Sequence, residues 1–358
     1  MAEEGGRISA GRPGARPGRM RSPGKRGVPS MIDVAQLAGV SPQTVSRAIN
    51  RPETVRPAIR DLITAAIEQL GYRRNLSARA LVTNQTRNLG LVDSGSSIPG
   101  HASMLMAIEN AAREQDYAVT VALVAKPGPD AISAAFTHLM DRGVQGIIVL
   151  ANTTDLAEAS RRVPTDVPVV MVAGGMAPRT ELRVVGVRQE EGAQMATRHL
   201  IDQGYTSIAH LAGPPRWLDA GLRDQGWRSA LALAGLTSTV LGQGDWSARS
   251  GHSIGIEQAN SQLPEAVFIA NDQMALGFML ALHERGVRIP HDVAIVGFDD
   301  LAGSGYFYPP LTTVRQPFSQ VGHTAIDVLL RALSGAPPES HSVSPELIVR
   351  ESSIRIEG

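Results

Sequence analysis

From about residue 88 to the end of the chain, short apolar runs alternate with amphipathic segments, and this pattern constrains the fold more than any other feature. The runs have the length of buried strands, and most segments between them have helical spacing. Strand and helix repeated in this order predict an α/β fold with parallel sheets and right-handed crossovers. We predict strands at 89–92, 119–124, 146–150, 167–172, 184–187, 208–212, 266–270 and 293–298, and helices at 104–114, 131–141, 191–202, 222–234 and 273–284.

The length of this α/β region favours two lobes over one. About 270 residues is large for a single doubly wound sheet, because most domains are considerably smaller. Ligands of parallel α/β sheets bind beyond the carboxyl ends of the strands. We therefore expect two lobes with a ligand cleft between them.

Charge is distributed unevenly although the total is zero, with 34 basic and 34 acidic side chains. Residues 1–30 carry a net +5, residues 31–82 a net +3, and residues 83–358 a net −8. This asymmetry indicates a nucleic-acid partner for the N-terminal part. The chain has no cysteine, which excludes disulfides and thiolate metal sites. The absence of a long apolar run and of a secretory signal predicts a soluble, cytoplasmic protein with no membrane partner.

Residues 1–29 interleave glycine, proline and arginine with few apolar side chains, so we expect a disordered basic tail. Two interpretations stay open for this tail. It could add nonspecific contacts to DNA phosphates, or it could be a solvated extension without a role.

Three short helices are predicted between residues 30 and 74. Ser30 is placed to cap the first, and Gly39 supplies the turn after it. Ser41 and Pro42 suit the start of the second, which runs to Asn50. A third extends from Pro57 to a stop at Gly71. Two short helices joined by a glycine-containing turn form the helix-turn-helix pattern that binds DNA.

The stretch IDVAQLAGVSPQTVSRAIN at 32–50, followed by AAIEQLGYRRN at 65–75, resembles the lactose/galactose repressor family of bacterial transcription regulators. The resemblance continues over about residues 31–355, through LAGP at 211–214, GDWSA at 244–248, ANDQMALG at 270–277 and VGFDD at 296–300. It implies an N-terminal all-α three-helix helix-turn-helix domain with a hinge helix. An α/β two-lobed periplasmic-binding-protein-like (type I) effector domain would follow, with strands crossing between the lobes near residues 186 and 316.

The resemblance also implies domain boundaries. Residues 1–29 would be the disordered basic tail, 30–74 the helix-turn-helix domain, 75–87 the hinge helix and linker, and 88–358 the two-lobed sugar-effector-binding and dimerisation domain. A helix of about seven residues is not stable alone because nucleation is costly. A plain interdomain linker therefore remains the alternative for the hinge segment. The chain ends soon after a strand-like run at 346–356, which favours a homodimer over a tetramer.

For DNA binding, the resemblance implies that Pro42, Gln43 and Arg47 face base edges. Glutamine can pair with adenine and arginine with guanine in the major groove. In the hinge segment, Leu81 takes the position of a side chain that wedges between base pairs, and Arg79 lies beside it. Short polar side chains suited to phosphate contacts are Ser41, Thr44, Ser46 and Asn50. Arg56 departs from the family, which usually has a serine cap at the third helix.

For effector binding, the resemblance implies hydrogen-bonding partners for sugar hydroxyls and apolar walls for the ring. A helix cap at Asn271 and a core position for Trp246 stay open as alternatives. Ala173 stands where an aspartate is expected, and Asp219 could replace that carboxylate. Trp217 would narrow the pocket or add a stacking face. The implied effector residues are Ile98, His101, Trp217, Asp219, Arg223, Trp246, Asn271, Asp299, Gln316 and Phe318.

The sequence thus predicts a DNA-binding transcriptional regulator, a repressor of sugar-utilisation genes. It would act as a homodimer on palindromic operator DNA, associated with the nucleoid, and be released by a galactoside or related sugar. No metal or cofactor is expected. The alternative is a serine hydrolase, because GHSIG at 251–255 matches the G-x-S-x-G elbow around Ser253. That elbow needs a preceding strand, whereas residues 244–249 have the pattern of a turn and helix start.

Overall fold

The computed structural model describes residues 29–73, 85–95, 98–126, 128–175 and 182–355. The predictions for most of the basic tail and for hinge residues Arg79 and Leu81 lie outside these ranges. The chain divides into two compact units, Met1–Ala78 and Arg79–Gly358. No helix in the described ranges is both long enough and apolar enough to cross a membrane.

The first unit contains three helices, α1 (Met31–Ala38), α2 (Pro42–Asn50) and α3 (Pro57–Leu70). The predicted caps are present. Ser30 and Asp33 form a reciprocal capping box at α1, and the Ser41 side chain accepts from the Thr44 N–H at α2. Arg56 makes no side-chain cap at α3. One small core holds the helices together, formed by Val34, Ala35, Val45, Ala48, Ile63 and Ala66.

The second unit is built on two six-stranded sheets. The N-lobe sheet is all parallel in the order β11-β5-β4-β3-β1-β2, in which β11 is the late strand Ser340–Val343. The first five strands of the chain belong to this sheet. They are β1 (Asn88–Asp93), β2 (Ala118–Leu123), β3 (Ile147–Leu150), β4 (Val169–Val172) and β5 (Arg183–Val187). The helices between these strands are α4 (Pro99–Glu114), α5 (Pro129–Asp141) and α6 (Thr154–Ser160).

The C-lobe sheet has the order β12-β10-β9-β8-β6-β7, in which β12 is Glu346–Ile348 and only the β10–β12 pair is antiparallel. Its strands are β6 (Ile208–Ala212), β7 (Thr239–Gln243), β8 (Ala266–Ile269), β9 (Ala294–Asp299) and β10 (Thr312–Arg315). The helices of this lobe are α7 (Gln189–Asp202), α8 (Leu218–Leu233), α9 (Ala248–Ala259) and α10 (Asp272–Glu284). All eight strands expected from apolar runs are therefore present, each within two residues of its predicted limits.

The chain crosses between the lobes three times. It crosses after β5 and after β10, as expected, and then α11 (Phe318–Leu333) packs into the N-lobe core. Strand β11 (Ser340–Val343) completes the N-lobe sheet, and the chain returns to the C-lobe as β12 (Glu346–Ile348). This third crossing was not predicted, because β11 is an edge strand with few apolar residues.

The predicted strand at 346–356 is wrong beyond residue 348. The chain turns into a short 3₁₀ segment at Glu351–Ser353. The Ser352 hydroxyl donates to the Ile295 carbonyl at 2.7 Å and accepts from the Thr312 N–H at 2.8 Å. Side-chain hydrogen bonds therefore hold this segment against the sheet, in place of ladder pairing.

Candidate functional site

A cavity lies between the two lobes at the carboxyl ends of both sheets. The volume of this cavity is about 90 Å³. All ten predicted effector residues line this cavity, namely Ile98, His101, Trp217, Asp219, Arg223, Trp246, Asn271, Asp299, Gln316 and Phe318.

The topology explains why these residues meet. Asp299 ends β9, Asn271 follows β8, and Gln316 follows β10, so the three lie at one edge of the C-lobe sheet. Ile98 and His101 at the start of α4 line the cavity from the N-lobe, and Trp217 and Asp219 at the start of α8 line it from the C-lobe. Because parallel strands point their carboxyl ends the same way, side chains distant in sequence converge at this edge.

Arg223 is the centre of the polar part of the cavity. Its Nε donates to Gln189 Oε1 at 2.9 Å, its Nη1 donates to the Ala270 carbonyl, and its Nη2 lies 3.5 Å from Asp299 Oδ1. Its guanidinium stacks 3.8 Å from the ring centre of Phe298. Arg223 is only 3% exposed. A buried arginine held on several sides has little freedom, so its orientation is fixed before a ligand arrives.

Two glutamines extend this network across the crossover. Gln316 Nε2 donates to Asp299 Oδ1 at 2.7 Å, and Gln189 Nε2 donates to Gln316 Oε1 at 2.8 Å. Gln189 thus joins Arg223 to Gln316. It was not among the predicted residues, although its place just after β5 fits the rule that polar side chains past strand ends form sites.

Burial raises the pKa of both cavity carboxyls near Arg223. The pKa of Asp299 rises to about 6, because desolvation outweighs the opposing effects of Arg223 and Gln316. Burial likewise raises the pKa of Asp219, against the favourable charge of Arg223 and a hydrogen bond from the Gly174 N–H. Both carboxyls share one guanidinium, so neither is fully compensated.

Aromatic rings form the apolar wall. The Trp217 and Trp246 ring centres are 5.8 Å apart at 77°, and His101 meets Trp217 edge-on at 6.4 Å. Trp246 lies over Gly213, where any side chain would overlap the indole ring. Trp246 has a backbone φ of 75° and Asp299 one of 117°. Such strained backbones occur where the surrounding structure fixes a site.

Asn271 serves as the N-cap of α10, so the cap interpretation is correct. Its Oδ1 accepts from the Met274 N–H at 2.9 Å, and its Nδ2 donates to the Trp246 carbonyl at 3.1 Å. Asn271 still lines the cavity while it caps the helix. It also holds the backbone of the Trp246 turn in place.

Asp272, which follows Asn271 in the sequence, is fully buried. It accepts hydrogen bonds from the Thr313 hydroxyl at 2.6 Å, the Ser304 hydroxyl at 2.5 Å and the Leu301 N–H at 3.0 Å. Burial and the nearby charge of Asp299 nevertheless raise its pKa to about 7, from an ordinary 3.8.

This raised pKa predicts a pH-dependent stability. The folded state holds the proton of Asp272 at pH values where the unfolded chain has lost it. The protonated Asp272 therefore contributes fully to the free energy of unfolding below pH 3.8, and this contribution decreases as the pH rises through 7. We expect the stability advantage of wild type over Asp272→Asn, measured by urea unfolding, to shrink from pH 4.5 to pH 8. The exposed Asp130→Asn is the control, and an advantage that grew with pH would contradict the assignment.

The exposed face of α2 carries the predicted base-reading residues. Pro42, Gln43 and Arg47 are exposed, whereas Val45 and Ala48 face the core. The four predicted phosphate-contacting residues make local hydrogen bonds. Ser41 Oγ lies 2.9 Å from Thr44 Oγ1, and Asn50 Nδ2 donates to the Ser46 carbonyl at 2.8 Å. The local bonds restrict the orientation of these side chains.

The hydrolase alternative lacks the geometry that it needs. Ser253 lies within α9, well after β7 ends. Its flanking glycines have a packing role, because a side chain on Gly251 would collide with the Met274 backbone and one on Gly255 with Ala281. These glycines let α9 pack closely against α10. In the described ranges, no cluster of His, Asp and Glu side chains could hold a metal ion.

Each of the two compact units matches a known protein family. Residues 30–75 match bacterial regulatory proteins of the lacI family, and residues 197–353 match a periplasmic binding protein-like domain. The lactose operon repressor of Escherichia coli (strain K12) is 33% identical over 323 residues, covering 90% of this chain and 89% of that protein. The ribose operon repressor of the same strain is 34% identical over 311 residues, covering 85% and 93%.

A solved structure matches over both units as well. The structure of the Lac repressor dimer bound to operator and the anti-inducer ONPF has a TM-score of 0.77 and 31% identity, covering 92% of this chain and 100% of that one. The chain therefore belongs to the lacI family of bacterial regulatory proteins, as a DNA-binding transcriptional repressor with a small-molecule effector.

Proposed function

We propose that the effector is a sugar, bound in the interlobe cavity by the ten predicted residues. The observation that carries this proposal is the buried network of Arg223, Asp299 and Gln316 beside the wall of Trp217 and Trp246. Planar groups of this kind pair with neighbouring hydroxyls, and an indole face suits the C–H side of a sugar ring. The names of the lactose and ribose operon repressors support a sugar-related role.

Within the sugars, we propose a galactoside or related glycoside. Ala173, which cannot accept a hydrogen bond through its side chain, and Asp219 both line the cavity. Asp219 supplies the carboxylate that Ala173 lacks, from the opposite lobe. Trp217 adds a second aromatic face, which favours a ligand with an extended apolar surface.

On DNA, we propose that Pro42, Gln43 and Arg47 read bases in the major groove. The predicted phosphate contacts and the hinge residues Arg79 and Leu81 would set the register and kink the centre of a palindromic operator. Two-fold symmetry of the site requires a homodimer. The Lac repressor dimer supports this assembly, as do exposed apolar side chains on the effector unit, namely Met106, Leu123, Leu280, Tyr306 and Tyr308.

Sugar and operator would then compete through one equilibrium between two states of the dimer. A coupling of about 2–3 kcal/mol would lower operator affinity roughly 30- to 150-fold. By the same coupling, operator DNA would lower sugar affinity by the same factor. We place this activity in the cytoplasm at the nucleoid, without an enzymatic step, and with the domain limits 30–74, 75–87 and 88–358.

One experiment tests this function directly. A palindromic duplex is selected from a random pool with the purified protein, and its affinity is then measured with methyl β-D-galactopyranoside, methyl β-D-glucopyranoside, ribose or adenine added. We expect selection of a palindrome and its release by the galactoside. Failure to enrich any palindrome would reject the operator proposal, and release by adenine alone would reject the sugar proposal.

A further inference from the structure

Asn152 follows β3 at the edge of the cavity and was not among the predicted effector residues. It is 9% exposed, and its Oδ1 has no hydrogen-bond partner. An unpaired buried acceptor is costly, and in native structures it usually has a functional explanation. Asn152 lines the cavity, so a ligand can supply the missing donor.

The neighbours of Asn152 fix which end of its amide is free. His101 Nε2 pairs with Asp93 Oδ1, so the ring donates its proton there and leaves Nδ1 as an acceptor. Asn152 Nδ2 then donates to His101 Nδ1 at 3.3 Å and to Ser94 Oγ at 2.9 Å. Both amide hydrogens are thereby used. The oxygen is left to accept from a hydroxyl of the ligand.

Asn152 also belongs to a contact between the lobes, which we call the clasp, formed by residues 152–155 and 216–218. Leu218 N–H donates to the Asn152 carbonyl at 3.0 Å, and Thr154 N–H donates to the Arg216 carbonyl at 3.3 Å. An exposed ion pair joins Arg216 and Asp155 at 3.1 Å. The clasp therefore consists mainly of backbone hydrogen bonds, and two of its residues, Asn152 and Trp217, also line the cavity.

We propose that Asn152 is a ligand-binding residue that accepts a hydroxyl of the sugar, and that its place in the clasp couples cavity occupancy to closure of the two lobes. Trp217 has the same double position, since it pairs with Thr153 in the clasp and meets Trp246 edge-on in the cavity. A sugar held between Asn152 and Trp217 contacts both lobes at once. This inference rests on the proposed function of the cavity as a sugar site.

The binding role is tested with methyl β-D-galactopyranoside and its 2-, 3-, 4- and 6-deoxy analogues, by calorimetry on wild type and Asn152→Ala. In wild type, the analogue that lacks the hydroxyl bonded to Asn152 binds about 3- to 10-fold more weakly than the parent. In Asn152→Ala, the parent and that analogue bind equally. The exposed Asn110→Ala is the matched control and retains the wild-type pattern.

The outcomes separate this inference from the proposed function. Suppose that wild type binds the galactoside, and that removing each hydroxyl weakens binding by the same factor in Asn152→Ala as in wild type. The ligand contact with Asn152 is then rejected, while the proposal of a sugar site stands. If wild type binds neither this galactoside nor the corresponding glucoside or riboside, the sugar function itself is rejected, and the inference with it.

The closure role is tested by distance measurement across the clasp. The chain has no cysteine, so Glu158→Cys in α6 and Gln225→Cys in α8 give two unique spin-label sites per protomer. Mixing the labelled protein with excess unlabelled protein leaves the distance within one protomer of the dimer. Saturating galactoside should shift the interlabel distances to one short, narrow population, and the shift should need more sugar in the Asn152→Ala background. An identical distance distribution with and without bound sugar overturns the coupling to closure.

Discussion

Replacing Arg223 by alanine should weaken effector binding by about 100-fold or more, because charge-assisted hydrogen bonds contribute roughly 1.5–3 kcal/mol each. The side chain is buried and contacts Gln189, Asp299 and the Ala270 carbonyl. Its loss removes the planar set of guanidinium N–H donors and leaves Asp299 without its positively charged partner. Calorimetric titration with the releasing sugar measures the effect.

The same substitution should destabilise the effector unit, since removing one partner of a buried ion pair costs about 3–5 kcal/mol. Arg223→Lys keeps the positive charge but lacks the planar guanidinium donors. It should therefore be more stable than Arg223→Ala and still bind sugar poorly. Operator affinity without sugar should stay within about 2-fold of wild type in the lysine variant, because α2 lies in the other compact unit. Release of DNA by either variant at the sugar concentration that half-releases wild type would mean that the pocket is assigned wrongly.

Arg47→Ala should lower affinity for the selected operator by roughly 5- to 150-fold, the effect of losing about 1–3 kcal/mol from one bidentate base contact. Arg47 is exposed on α2, one helical turn from Gln43, while the opposite face of the helix packs into the core. The variant should fold normally. Fluorescence anisotropy on operator and on random duplex measures the two affinities.

Specific and nonspecific binding should respond differently to this change. Affinity for random duplex should remain nearly unchanged, and a new selection should show relaxed preference at one symmetric pair of base positions. Arg60→Ala, an exposed arginine on α3, is the matched control and should keep the preference. Equal losses on operator and random duplex would identify Arg47 as a phosphate contact instead.

Local features of the sequence predicted much of this structure. The caps at Ser30 and Ser41 and the turn at Gly39 depend on neighbours within a few residues, and all three are observed. The apolar runs of the second unit are equally local, so their strands were predicted within two residues. Edge strand β7 was missed because its side chains are mostly exposed and lack a continuous apolar run.

The cavity was predicted from the resemblance together with a topological rule, and its internal contacts were not. The resemblance led to Asn271 and Asp299, and both lie at the carboxyl ends of strands, where the rule places ligand-binding residues. The same rule could have led to Asn152. It does not say which side chains bond to each other. Gln189 and Gln316 are 127 positions apart in sequence, yet they form one hydrogen bond.

The sequence by itself determined most of the helices, most strands and the candidate DNA-reading and sugar-binding residues, because these depend on short-range patterning or on recognisable motifs. Only the tertiary structure decided the third crossing, the path of the chain after β12 and the clasp that brings Asn152 to Leu218. The physical reason is that hydrogen bonds between distant segments depend on how the two lobes close. That closure is a balance of packing and desolvation over the whole unit, which no local pattern encodes.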